Sequence, residues 1–415
     1  MTLNHYAIFT TDFFPLGKWL PQLLKGNPPE ELKELQGKKG LLFSESVLNK
    51  FIEEDHKHGN SALILNENRS LRTFSSGEKR KALLQYLLTQ EPDFLVLDNP
   101  LESLDKTSVS ELKLSLQRIS ETTVIIQLFN RKEDLLPFID SILKVENEQI
   151  VKIFEVSEFQ QNNNETNFSE IRSIPPSPVR FKDVPEELVK MKNVSVSYEE
   201  KPVLEDISWK IRKGDFWQLT GPNGSGKTTL LSMIYGDNPK AYGVDLYLFG
   251  NKKGSGESVW EIKKKIGYFS PALTELFNRR NTVLEMLISG LADSIGLYQK
   301  PGDADIRLAK EWLKVLNMET YSRRIFKDLP ELQQRMVLIA RAMIKHPPLL
   351  ILDEPTTSLD DKSALEITSL INFIAKESNT AIVFVSHRKE KGLEPKTIYH
   401  LIPSENGSKG EILVE

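Results

Sequence analysis

The sequence predicts an α/β protein made of two related units in tandem, each built on a mostly parallel sheet. Three observations carry that prediction. Apolar, strand-like runs alternate with helical stretches, the order that builds parallel sheets. One pattern occurs twice: Phe94-Leu95-Val96-Leu97-Asp98 is matched by Leu349-Leu350-Ile351-Leu352-Asp353, and Ser103-Leu104-Asp105 by Ser358-Leu359-Asp360. Another pattern occurs once: Gly221-Pro222-Asn223-Gly224-Ser225-Gly226-Lys227-Thr228-Thr229 fits G-x-x-x-x-G-K-[ST]. An internal repeat means two copies of one structural unit. The lone glycine motif means that the copies are unequally equipped.

The elements follow in order. In the first copy, Ser75-Ser76-Gly77-Glu78-Lys79 precedes a helix over Arg80–Gln90. Pro92 breaks it, the strand to Asp98 follows, and Thr123–Leu128 closes the unit as a further strand. In the second copy, Phe216–Thr220 reads as a buried strand and Thr228–Ile234 as the helix behind the glycine motif. Gln333–Ala342 is the counterpart helix, Pro347-Pro348 its breaker, and Ala381–Ser386 the closing strand. Between the copies, Gln160–Asn167 is Asn-rich and Ile174-Pro175-Pro176-Ser177-Pro178 proline-rich, the composition of a semi-extended linker. The expected domains are 1–158, a linker at 159–185, and 186–415. The stretch before Ser75 is much shorter than its counterpart in the second copy and contains no G-x-x-x-x-G-K, so the phosphate-binding half of the first unit is trimmed or remodelled. Gly37-Lys38-Lys39-Gly40 lacks the spacing and reads as a solvated turn.

Composition bounds the function. A chain of 415 residues with 39% hydrophobic content supports two domains with real cores. A net charge of −4 argues against nucleic acid as a partner, since phosphate-backbone binders are usually basic. The absence of cysteine excludes disulfides and thiolate metal sites and suits a cytoplasmic location. The N-terminus carries no basic-then-apolar signal pattern, and no apolar run is long enough to span a bilayer. A transport role would therefore need a separate membrane permease subunit.

The glycine motif carries specific chemistry. Its glycines let backbone N–H groups wrap a β-phosphate, and the following helix N-terminus adds positive potential. Lys227 reaches the β- and γ-phosphates as a point charge, and Thr228 offers its hydroxyl to Mg²⁺. Four apolar residues before Asp353-Glu354 and Pro355 after them place both carboxylates at a rigid strand end. His387 follows an apolar strand in the same way.

Together the loop at Gly221, the Phe74-Ser75-Ser76-Gly77-Glu78 signature, the run Asp353–Asp360 and the Ser386-His387-Arg388 switch resemble the ATP-binding cassette (ABC) family over nearly the whole chain. The tandem arrangement resembles the soluble two-cassette ModF/PhrA type, to which Ser289–Tyr298 is also similar. The resemblance implies P-loop NTPase-like nucleotide-binding domains with helical subdomains, packed head to tail, with ATP and Mg²⁺ held between the phosphate loop of one cassette and the signature of the other. It sorts the residues into one complete composite site. Tyr198 would stack on adenine, residues Gly221–Thr229 would hold the phosphates, and Asp353 would hold Mg²⁺ through water. Glu354 would be the general base toward water, and His387 would contact the γ-phosphate. From the first cassette, Ser75, Ser76 and Gly77 would meet the γ-phosphate, and Ser103 and Asp105 would approach the phosphate loop.

The resemblance equally implies one site without chemistry. Asn99 stands where Glu354 stands, and Asn130 where His387 stands. In Leu329-Pro330-Glu331-Leu332-Gln333, Pro330 replaces the signature serine and Leu332 the glycine, while Glu331 adds negative charge. One departure touches the complete site: Pro271 stands where the family usually has glutamine, which puts coupling to a conventional permease in question. The reading is thus an ATP hydrolase with one working site. A nucleotide-gated regulator or scaffold with negligible hydrolysis is the alternative. A ribosomal partner is not expected, because two-cassette translation factors carry two complete phosphate loops.

Overall fold

The structure is a computed structural model that describes residues 3–10, 16–58, 63, 74–146, 149–161, 173–178, 181, 183–277 and 280–413. Two compact units emerge: residues 1–165 with 357–361, and residues 166–356 with 362–415.

The first unit contains β1 (Tyr6–Phe9), α1 (Leu16–Leu24), β2 (Gly40–Phe43), α2 (Glu45–His58), α3 (Ser76–Thr89), β3 (Phe94–Asp98), α4 (Lys106–Ser120), β4 (Val124–Phe129), β5 (Ser141–Glu146), β6 (Gln149–Glu155) and α5 (Val156–Gln161). Its sheet runs β2-β3-β4-β1-β5-β6, parallel except for the β5–β6 hairpin. The strands are apolar on both sides because both sides are covered. Ala7, Leu95, Leu97, Ile125 and Ile142 enter one core cluster; Ile8, Phe94, Val96, Ile126 and Leu143 enter the other. Strand alternation thus divides a continuous apolar run between two layers.

The second unit contains β7 (Glu187–Tyr198), β8 (Lys201–Arg212), β9 (Phe216–Thr220), α6 (Lys227–Tyr235), β10 (Leu246–Leu248), β11 (Asn251–Lys252), α7 (Val259–Lys264), β12 (Ile266–Phe269), α8 (Leu273–Leu276), α9 (Val283–Ser289), α10 (Asp303–Val315), α11 (Glu331–Met343), β13 (Leu349–Asp353), α12 (Asp361–Glu377), β14 (Ala381–Val385), β15 (Thr397–Ile402) and β16 (Lys409–Leu413). Its main sheet runs β12-β13-β14-β9-β15-β16, strand for strand the order of the first unit. A second sheet, β11-β10-β7-β8, is antiparallel, and it packs a shared core with the main sheet through residues such as Trp209, Trp217, Leu219 and Tyr399. Among the described residues the first unit has no such sheet. α9 packs against both α10 and α11.

The matching strand orders locate the remodelling expected in the first unit. β1 occupies the sheet position of β9, between β4 and β5 as β9 lies between β14 and β15. After β9 come the glycine motif and α6; after β1 comes Thr10, then Thr11–Pro15, which lie outside the described residues, then α1, with Pro21 inside it.

Two local readings change. The Gly37–Gly40 stretch is not wholly a solvated turn. Gly37 turns with φ 74°, but Gly40 opens β2, and a Cβ there would fall 2.1 Å from the Phe94 ring. The Lys39 N–H donates to the Asp93 carboxylate at 2.7 Å, fixing the start of the β2–β3 pairing. The expected linker at 159–185 also carries structure at both ends. Phe159 packs against Phe9, Phe129 and Phe154. Pro175 is buried. The Asn-rich stretch 162–167 lies outside the described residues.

Candidate functional site

The loop between β9 and α6 is shaped by its glycines. Gly221, Gly224 and Gly226 have φ of 150°, 77° and 89°. A side chain at 221 would meet Ser225 Oγ at 2.7 Å, and one at 226 would meet Leu204 Cδ2 at 2.7 Å. Only glycine fits both. The Lys227 ammonium is largely buried and donates to the carbonyls of Gly221 at 2.7 Å and Pro222 at 3.0 Å, folding back over its own loop. Ser225 Oγ is buried with no hydrogen-bond partner, a polar atom oriented within a loop built to hold polar atoms.

This loop forms one wall of a cleft of about 610 Å³. Asn223, Gly224, Gly226, Lys227, Thr228 and Thr229 line it, with Val203 of β8, Tyr268 of β12, Ser270-Pro271-Ala272, and Asp353 and Glu354 from the end of β13. Sheet register brings these together. β12 pairs with β13 so that Tyr268 faces Ile351, two residues before Asp353 on the same side of the strand. Burial, and then the neighbouring Glu354 charge, pushes the Asp353 carboxyl up to about 6, with Lys227 and a hydrogen bond from Tyr268 pulling it back. Burial pushes the Tyr268 phenol up to about 12.

Glu354 sits at φ 47°, its N–H donating to Val385 O at 3.0 Å. The His387 side chain is buried, with Nδ1 3.4 Å from Glu354 Oε1. Arg388 Nε donates to His387 Nε2 at 3.3 Å, which directs the Nδ1 proton toward Glu354. The histidine addresses the Glu354 carboxylate directly, a contact that the sequence reading, which set His387 against the γ-phosphate, did not include. Gln218 in β9 holds the switch from below, donating to Ser386 Oγ at 2.9 Å and Arg388 O at 3.3 Å.

The cleft fits a magnesium–nucleotide complex by its donor set. Mg²⁺ takes few protein ligands and completes its shell with water and phosphate oxygens. Thr228 and Asp353 both line the cleft and could hold it, and among the described residues no cluster of three or more His, Cys, Asp or Glu competes for a metal. Tyr198 lies outside the cleft lining at the end of β7, its hydroxyl accepting from Asn238 at 2.8 Å and its ring 5.8 Å from Lys240 Nζ.

In the first unit, Ser75, Ser76 and Gly77 form the start of α3. Ser75 is its N-cap in a capping box: Ser75 Oγ accepts from Glu78 N at 3.2 Å, and Glu78 accepts from Ser75 N at 2.7 Å. The helix begins at Ser76, so the first-turn N–H groups have no intrahelical acceptor. Ser103 has φ 57°, and Asp105 caps α4 by accepting from Ser108 N at 2.8 Å. Asn99 repeats the backbone of Glu354: its φ is 42° and its N–H donates to Leu128 O at 3.0 Å. The scaffold of a base is kept and the base is not. In the second unit, Pro330 precedes α11, Leu332 is 9% exposed, and Gln333 Oε1 is buried without a partner.

Sequence reasoning missed Tyr268, Ser270 and Val203 as cleft residues. Their presence depends on strand pairing, which spacing along the chain does not reveal. Ser289–Tyr298 is held by Arg341, which donates to Ser289 Oγ at 2.9 Å and Ser294 O at 2.8 Å, and by Lys345, which meets Asp293 at 2.5 Å.

The chain matches the family model described as ABC transporter over residues 204–357. It is 35% identical over 344 residues to the ABC transporter ATP-binding protein ModF of Escherichia coli (strain K12), covering 80% of this chain and 70% of that protein. It is 32% identical over 333 residues to the uncharacterized ABC transporter ATP-binding protein C323.04 of Schizosaccharomyces pombe, covering 78% and 66% respectively. A chain in the solved structure of ribosome-bound archaeal Pelota and ABCE1 superposes with a TM-score of 0.67 at 18% identity, covering 99% of this chain and 75% of that one, a likeness of fold.

Proposed function

Because the chain belongs to the ATP-binding cassette ATPases, a family of ATP hydrolases that serve transporter-like systems, we propose that it binds and hydrolyses Mg-ATP at a single composite site. The phosphate loop and carboxylates come from the second cassette and the signature from the first. The observation that carries this reading is the convergence of Lys227, Thr228, Asp353 and Glu354 on one cleft, with Asn99 on the matching backbone of the other unit. Lys227 and the loop N–H groups hold the phosphates, and Tyr198 stacks on the adenine. Glu354 takes the proton of the attacking water while His387 orients Glu354. Mg²⁺, when bound, neutralises charge on the phosphate oxygens. Ser75, Ser76 and Gly77 supply a helix N-terminus to the γ-phosphate, and Ser103 and Asp105 border it.

Equilibrium binding of a slowly hydrolysed ATP analogue tests this reading: saturation near one equivalent per chain is expected, and two equivalent sites would sink it. A second reading, a nucleotide-gated regulator with negligible turnover, draws support from Pro271 in the cleft wall, which offers neither an N–H nor a polar side chain. Phosphate release by the purified protein separates the two. No described helix is long and apolar enough to cross a membrane, so a transport role would run through a separate permease subunit.

A further inference from the structure

Past the end of β14 the chain leaves the sheet, and His387 lies just beyond that point. The β14–β9 ladder ends with Val385 opposite Leu219, and the Ser386 N–H makes one more bond, to Leu219 O at 3.3 Å. From there side chains do the holding. Gln218, 3% exposed in the middle of β9, donates from Nε2 to Ser386 Oγ at 2.9 Å and to Arg388 O at 3.3 Å. Ser386 Oγ donates in turn to Arg388 O at 2.5 Å. The hydrogens match the acceptors: the amide gives its two, and the hydroxyl accepts one bond and gives one. A carbonyl can only accept, so the amide must present its nitrogen to Arg388 O. These bonds grip the residues on either side of His387. The imidazole is left to Glu354 Oε1, at 3.4 Å, and to Arg388 Nε, at 3.3 Å.

The first unit supplies an internal comparison. Asp353 pairs with Val385 as Asp98 pairs with Leu128, and those partners face Leu219 and Ile8. Ala7 therefore stands where Gln218 stands, and Asn130 where His387 does. The unit with the histidine has the amide; the unit without the one lacks the other.

We propose that Gln218 is a positioning residue for the switch: by fixing the backbone at Ser386 and Arg388 it aims His387 at Glu354. This rests on reading the cleft as a site of ATP hydrolysis. Gln218 lies outside the cleft lining, so its loss should leave nucleotide affinity alone.

The test is Gln218→Met, which keeps the length of the side chain, removes both donated bonds and leaves Ser386 Oγ to cover the Arg388 carbonyl. Imidazole ¹⁵N NMR reads His387 directly, its signals picked out from those of six histidines by their loss in His387→Asn. At about pH 8 the wild type should show one neutral tautomer, protonated at Nδ1, and Gln218→Met a mixture of the two. In phosphate release kcat should fall about tenfold, the weight of one to two neutral hydrogen bonds, with KM within about twofold. On a His387→Ala background the same substitution should change kcat by less than about twofold, because its effect runs through the imidazole. A wild type that already mixes tautomers, or a His387 spectrum unchanged by Gln218→Met, overturns the proposal. So does a larger loss on the His387→Ala background, which would mark a packing role. If Gln218→Met fails to fold, Ser386→Ala, which takes away one of the two acceptors, goes through the same spectrum and the same cycle, and the same outcomes decide. A wild type that releases no phosphate would count against the hydrolysis reading alone, and the spectrum would still decide the role of Gln218.

Discussion

Glu354 and Asn99 sit on the same backbone, each at positive φ, each with its N–H on the neighbouring strand's carbonyl. The difference between them is therefore chemical: one carries a proton acceptor and the other a neutral amide. Glu354→Gln is expected to keep nucleotide binding and to lose turnover by about 10²–10⁴-fold in a phosphate-release assay, the usual weight of a positioned base. Asn99→Gln should leave turnover within about twofold. Asp353 gives a pH signature in the nucleotide-free protein. Its folded value of about 6 lies above its ordinary 3.8, so between those values the folded state holds more protons than the unfolded state. Stability therefore falls as pH rises across that window and stays lower above it. Asp353→Asn should remove that fall, leaving the free protein more stable than the wild type at pH 8 by about 1–3 kcal/mol in urea titrations, with little difference at pH 4.

At the scale of elements, α3 and α11 are the same helix put to different uses. α3 begins with a capping box and small residues; α11 begins after Pro330 and sinks Leu332 into its own unit. A side chain at position 77 would press on Ser108 Oγ at 2.6 Å, so the cleaner charge probe is Ser76, the first helical residue. A carboxylate there suits the helix N-terminus, and Ser76→Asp should hold or raise thermal stability by a few tenths of a kcal/mol to about 1 kcal/mol. In the proposed composite site the same charge would oppose the γ-phosphate, so turnover should fall about tenfold or more. Full activity in a stable Ser76→Asp protein would mean that the half-sites are wrongly paired. Much of this level was legible in the sequence. The acidic strands, the helix after the phosphate loop and the helix after the signature are local patterns of apolar run, breaker and cap. What was not legible depends on pairing between distant segments. The place of β1 in the sheet, the meeting of Tyr268 and Asp353 in one cleft and the Phe94 ring over Gly40 arise only when strands far apart in the chain align. Tyr198 was legible as a strand-end aromatic, but its position relative to the cleft was not.

At the scale of the whole molecule, a single phosphate loop sets a single thermal response. Nucleotide at about 100 times its Kd should stabilise the protein by about 2.7 kcal/mol, with no second rise at higher concentration. Differential scanning fluorimetry against ATP analogue and Mg²⁺ reads this directly, and a biphasic shift would indicate another site. The two sheets share one strand order, yet the second unit's signature has been absorbed into its packing. Leu332→Gly would restore the small residue of a signature and empty a buried leucine position, at about 2–5 kcal/mol of stability. The asymmetry is thus entrenched. Once a binding surface has become part of a core, the way back to two working sites leads first through a weaker fold, and mutational drift has a direction.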